Sequence, residues 1–155
     1  MSWESFAATK EPLDIAMKDV AICEDRVFSY PDRGYGSFGF YHSGCAGEYM
    51  FSKEVWSIIP HNFCNIGCIP TIEDNLKYTD PEIYLQQRMR ALNGARFIRE
   101  VVKRQGEFWY FELFLDNQVI EHIDVVELTV DDLGAEDLDR NPLKIEEGVF
   151  YKFIG

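Results

Sequence analysis

The segment EFWYFELFLD, residues 107 to 116, is apolar or aromatic at almost every position before its final Asp116. Strand geometry sends alternate side chains to opposite faces. Trp109, Phe111, Leu113 and Leu115 therefore share one face, and Phe108, Tyr110 and Phe114 share the other. A strand that is apolar on both faces predicts a central position covered on both sides. The segments before and after it, ARFIREVVKR and QVIEHIDVVELTV, are rich in β-branched residues and read as two further strands. Gln105-Gly106 and Asp116-Asn117 would be the turns. The expectation is a three-strand meander over about residues 95 to 130. Of the aromatics Trp109 and Tyr110, one is expected to face a partner, and Tyr110 is counted with the partner-binding residues.

Upstream the period changes. TDPEIYLQQRMRALNG predicts a helix over about residues 81 to 93. Asp80 can cap it, Pro81 suits the first helical position, and Glu82 favours the positive end of the helix dipole. Ile83, Leu85, Met89 and Leu92 form an apolar stripe, and Asn93-Gly94 reads as the stop. Nearer the start, DVAICEDRVFSYPDRGYGSFGFYHSG predicts two β segments about a turn built from Pro31, Asp32 and Gly34. SKEVWSIIP reads as a short helix ended by Pro60, with a loop running on to Pro70. Residues 1 to 20 read as helix or loop, broken by Pro12. GVFYKFIG at the C-terminus reads as a last strand. Together these elements predict an α+β fold with a mainly antiparallel sheet. At 155 residues the chain fits a single globular domain over 1–155.

Composition narrows the class. Aromatics make up 15% of the chain and hydrophobic residues 46%, too high for an intrinsically disordered segment. The N-terminal residues carry Glu4, Glu11, Asp14 and Asp19 in place of a basic region followed by an apolar run, so no signal peptide is read. No apolar run approaches the roughly 18 residues of a transmembrane helix. A cytoplasmic location is expected.

Charge changes the picture most. Lys plus Arg number 15 against 27 Asp plus Glu, a net charge of −12. The excess is local. Residues 80 to 104 carry six bases and three acids, whereas residues 105 to 147 carry two bases and thirteen acids. The densest stretch, EHIDVVELTVDDLGAEDLD (121 to 139), holds eight acids and no Lys or Arg. Such a block argues against direct nucleic-acid binding. It acts either as a solvated surface or as a docking face for a cationic protein, since acidic faces steer association with basic partners. The docking assignment falls on Glu121, Asp124, Glu127, Asp131, Asp132, Glu136, Asp137 and Asp139, together with Tyr110.

Two patterns suggest other chemistry. HNFCNIGCIP places His61, Cys64 and Cys68 close together, and YHSGC adds His42 and Cys45. Zinc takes four Cys, His or carboxylate ligands in a tetrahedral array, and these residues could supply them. However, a pair of C-x-x-C knuckles is absent, and CNIGC has the wider C-x-x-x-C spacing. Core burial of reduced thiols is therefore preferred to a metal, a disulfide or a Cys/His nucleophile. No cofactor, metal or catalytic residue is assigned. RGYGSFGFY has the spacing G-x-G-x-x-G and resembles the phosphate-covering loop of protein kinases, with Lys53 downstream. The resemblance ends there: no H-R-D-x-x-x-x-N or D-F-G follows, and the chain is too short for that fold. The glycines are expected to serve a turn and a strand.

Two functions from different classes follow. The preferred one is a non-catalytic acidic interaction protein, of inhibitor or immunity type, that neutralises a basic partner such as a nuclease toxin or another nucleic-acid-binding protein. The alternative is a small metal-stabilised or Cys/His-dependent enzyme using His42, Cys45, His61, Cys64 and Cys68.

Overall fold

The computed structural model describes residues 2–13, 21–22, 27–30, 38–41, 47–70, 72–116, 118–134 and 142–155. Eight strands are found among them: β1 (Ser2–Thr9), β2 (Ala21–Ile22), β3 (Val27–Tyr30), β4 (Phe38–Tyr41), β5 (Asn62–Ile66), β6 (Glu107–Leu115), β7 (Asp124–Thr129) and β8 (Val149–Ile154). They form one sheet in the order β2-β3-β4-β5-β1-β6-β8-β7. Every described neighbour pair is antiparallel except β7 with β8. The helices are α1 (Gly47–Met50), α2 (Lys53–Ile58), α3 (Leu76–Thr79) and α4 (Pro81–Gln105). The α+β class with a mainly antiparallel sheet is thus the fold of this chain.

The alternation along β6 has the predicted consequence. Phe108 and Tyr110 enter one core, and Trp109, Phe111 and Leu113 enter a second core on the opposite face. Helix α4 covers the first face, packing over β3, β4, β6 and β8. The second face lies beneath α1, α2 and the segment that returns from β6 to β7. Its centre is aromatic. Phe111 stacks on Phe150 with ring centroids 4.0 Å apart, and Phe6 stacks on Phe63 at 4.9 Å. Phe51 stands edge-on to Phe63, Phe111 and Phe150 at 5.8, 6.1 and 5.9 Å. Such pairs add about 0.5–1.5 kcal/mol each beyond the area they bury.

Helix α4 begins as expected. The Asp80 side chain accepts from the Ile83 N–H at 3.2 Å, and Pro81 opens the first turn. The helix does not stop at Asn93-Gly94, however. It continues to Gln105 and ends at Gly106, which takes φ 89° and donates its N–H to the Val102 carbonyl. Gly94 is instead a point of close approach: a Cβ there would lie 3.0 Å from the Phe38 ring. Ala91, Ala95, Ile98 and Val102 recur at helical spacing on the buried side, and this packing overrides the β-branched character of ARFIREVVKR. That segment is helix, so the first strand of the expected meander does not exist. The other two strands do, as β6 and β7, but β8 lies between them. The apolar stripe is also displaced. Ile83 and Leu85 are exposed, and burial starts at Arg88.

The N-terminus corrects a second expectation. Residues 2 to 9 form a central strand paired on both sides, Phe6 opposite Phe111 on β6 and Asn65 on β5. Ala7 and Ala8 are fully buried beneath the two layers. The expected loop from Pro60 to Pro70 contains β5. The short helix within SKEVWSIIP is present as α2, capped by Ser52, whose Oγ accepts from the Val55 N–H at 3.3 Å. Among the described residues, no helix is long and apolar enough to cross a membrane.

Candidate interaction surface

Among the described residues, strand β7 is the outermost strand at one end of the sheet and is bonded to β8 alone. Its side chains are exposed along almost its whole length; only Leu128 is partly buried. An edge strand presents N–H and C=O groups that can recruit another chain, and proteins commonly blunt such edges with charge. Asp124 and Glu127 stand on this edge, and Glu121 precedes it. Val125 and Val126, at 43% and 39% exposure, lie between the acids.

The structure separates the acids by role. Glu127 lies opposite Lys152 on β8 and forms an ion pair with it at 3.4 Å. Lys152 is shared with Glu107 at 3.6 Å and lies over the Trp109 ring, 5.8 Å from its centroid. Asp131 pairs with Arg99 of α4 at 3.3 Å, although both side chains are well exposed. Asp132 is a capping residue: its carboxylate accepts from the Thr129 N–H at 2.8 Å and the Thr129 hydroxyl at 3.0 Å, closing the single-turn 3₁₀ helix Val130–Leu133. Glu121 and Asp124 are exposed and make no ion pair among the described residues. Glu136, Asp137 and Asp139 lie outside the described residues.

Tyr110 does not belong to this face. It is fully buried, and Trp109 is nearly so. The Tyr110 hydroxyl accepts from the Ile69 N–H at 3.0 Å and donates to Glu112 Oε1 at 2.8 Å. Tyr110 thus ties the chain after β5 to the sheet. Burial, the main cause, with the Glu112 charge beside it, pushes the phenol far above its ordinary range. Burial also raises the Glu112 carboxyl; the Tyr110 hydrogen bond acts against that rise and the Glu147 charge adds to it.

The Cys/His set is not brought together where it is described. Cys64 is buried in the core beneath α4, whereas Cys68 is exposed. His61 stacks flat on Trp56, with centroids 4.3 Å apart, and its Nε2 lies 2.8 Å from the Trp56 carbonyl. No group of three or more His, Cys, Asp or Glu placed to hold a metal occurs among the described residues. His42 and Cys45 lie outside them, as does most of the glycine-rich turn.

Sequence reasoning missed a cleft at the opposite end of β6. It has a volume of about 460 Å³ and is lined by residues of β1, β5 and α1 together with Phe114, Leu115, Asp116, Gln118 and Ile120. Its residues come from four distant parts of the chain. The one available signal was Asp116 and Gln118 next to an apolar strand end, and without β1 that signal pointed nowhere.

No family model matches the chain, and no curated protein or solved structure is significantly similar to it.

Proposed function

We propose that this chain is a non-catalytic, acidic interaction protein that docks on a basic protein partner through the β7 edge. The best-fitting role is an inhibitor or immunity-type protein, acting in the cytoplasm, that neutralises a nuclease toxin or another nucleic-acid-binding protein. One observation carries it: an exposed edge strand flanked by carboxylates, of which Glu121 and Asp124 lack a cationic partner among the described residues. Like charges held this close repel one another, and a cationic surface relieves that repulsion. The basic surface that a nuclease offers to phosphates is such a surface. The exposed valines beside the acids supply apolar contact area for the centre of an interface.

Affinity capture from a lysate of the source cells, at about 50 and 300 mM salt, tests this reading, because the Debye length falls from over 10 Å to below 8 Å across that range. A basic protein held at low salt, released at high salt, and not captured by the variant Glu121→Lys/Asp124→Lys is expected. Capture that ignores both salt and the variant would overturn the assignment.

A further inference from the structure

The cleft at the end of β1 and β6 differs in character from the edge strand. It is a concavity, and its volume of about 460 Å³ lies within the usual range of ligand pockets. Phe6, Met50, Phe114, Leu115 and Ile120 contribute its apolar lining. Among the described residues its polar groups are two carboxylates, Glu4 and Asp116, and two side-chain amides, Asn65 and Gln118, and no Lys, Arg or His of that set lines it. The Tyr49 ring stands at the rim, 76% exposed.

Each carboxylate is oriented by a local hydrogen bond. Asn65 Nδ2 donates to Glu4 Oε2 at 2.6 Å, and the Gln118 N–H donates to Asp116 Oδ1 at 3.1 Å. The wall carrying Ile120 is fixed as well: the Ser52 N–H donates to the Ile120 carbonyl, and the Ile120 N–H to the Met50 carbonyl, both at 2.9 Å. The site is therefore preorganised, which reduces the ordering cost of binding.

We infer that this cleft receives an arginine side chain presented by the basic partner. Arginine matches the lining part by part. Its methylene stem packs on apolar surface while its head stays among polar groups. The planar guanidinium meets carboxylates through paired hydrogen bonds and stacks on an aromatic face such as Tyr49. The segment from Asp116 leads through Glu121 into β7, so one stretch of chain joins the cleft to the acidic edge, and a single partner can engage both. This inference rests on the proposed docking function and adds to it the group that anchors the partner.

The test uses the full chain, labelled with ¹⁵N, and two small probes: N-acetyl-arginine methylamide and its neutral isostere, N-acetyl-citrulline methylamide. The arginine probe should give saturable shifts at the amides of Glu4, Asn65, Asp116 and Gln118, and the citrulline probe should not. The isosteric variant Glu4→Gln/Asp116→Asn keeps both acceptor oxygens and should retain a folded spectrum. It should bind the arginine probe at least about tenfold more weakly, as expected when charge-assisted bonds become neutral ones. Equal binding of citrulline, unchanged affinity in the variant, or shifts confined to residues 121 to 129 would each overturn the cleft assignment. If the cleft fails while salt-dependent capture through Glu121 and Asp124 persists, the docking function stands without it. If capture fails while the cleft binds arginine, the docking edge is what falls.

Discussion

Strands β6 and β7 are separated by one strand of the same sheet, yet they occupy opposite physical situations. β6 is buried on both faces between α4 and the aromatic core, and its only charged residues are Glu107 and Glu112. β7 is exposed except at Leu128, which packs against the core, and its six residues are two carboxylates, two valines, a leucine and a threonine. The difference shows where each kind of residue is tolerated. Four consecutive buried positions, Phe108 to Phe111, leave β6 nowhere to go but the centre. Charges at that position would cost several kcal/mol each in desolvation. At the edge they stay hydrated and cost little, so they can be placed for a partner. The buried aromatic side chains are concentrated at the centre, and the charges of the proposed docking face lie at the edge.

The largest expected break in this contrast is Phe111→Ala. It removes the ring stacked on Phe150 and should lower stability by about 3–5 kcal/mol in chemical denaturation. A loss below about 1 kcal/mol would mean that β6 is not the centre of the structure. Tyr110→Phe comes next. It keeps the ring but leaves the buried Ile69 N–H without its acceptor, an expected loss of about 1–3 kcal/mol. A surface role for Tyr110 would instead leave stability unchanged.

Glu112→Gln sharpens the comparison from the other side. The Glu112 carboxyl holds its proton more tightly in the folded chain than at its ordinary value of 4.5. The folded state therefore binds more protons than the unfolded state as pH rises above that value, and stability falls until the folded pKa has been passed. Gln keeps an acceptor for Tyr110 and carries no charge. The variant should be more stable than the parent at neutral pH, by less than about 1 kcal/mol because solvent screens the half-buried group. The gain should vanish in acid. A gain that persists below pH 4 would point to a cause other than the charge.

How far the sequence could be read depended on whether the relevant contacts were local. The period-two pattern of β6 and the capping signal at Asp80-Pro81 act within a few residues, and both are found as expected. The end of α4 was misread because Asn93-Gly94 has the form of a stop, while the reason for Gly94 is a ring from β4, far away in sequence. β1 was missed because Ser5, Ala7 and Ala8 have weak strand character. Small residues fit there because both faces are covered by layers that the local sequence does not reveal. The acidic block was legible as charge. Its internal division was not, because Lys152 and Arg99 reach Glu127 and Asp131 only through the fold. Reversing Asp131 or Asp132 would therefore damage an ion pair or a cap, and Glu121 and Asp124 are the better probes of docking.

The central claim is that the β7 edge attracts a basic protein through those charges. The most direct test is the association rate of the captured partner with the parent chain and with Glu121→Lys/Asp124→Lys, followed across about 50–300 mM salt. Stability of the variant should stay within about 0.5 kcal/mol of the parent, as for exposed substitutions generally. The parent should associate quickly at low salt and slow steeply as salt rises, and the variant should be slower with a flatter response. Identical rates and identical salt slopes for the two chains would contradict the claim and reduce the acidic edge to a solvated surface.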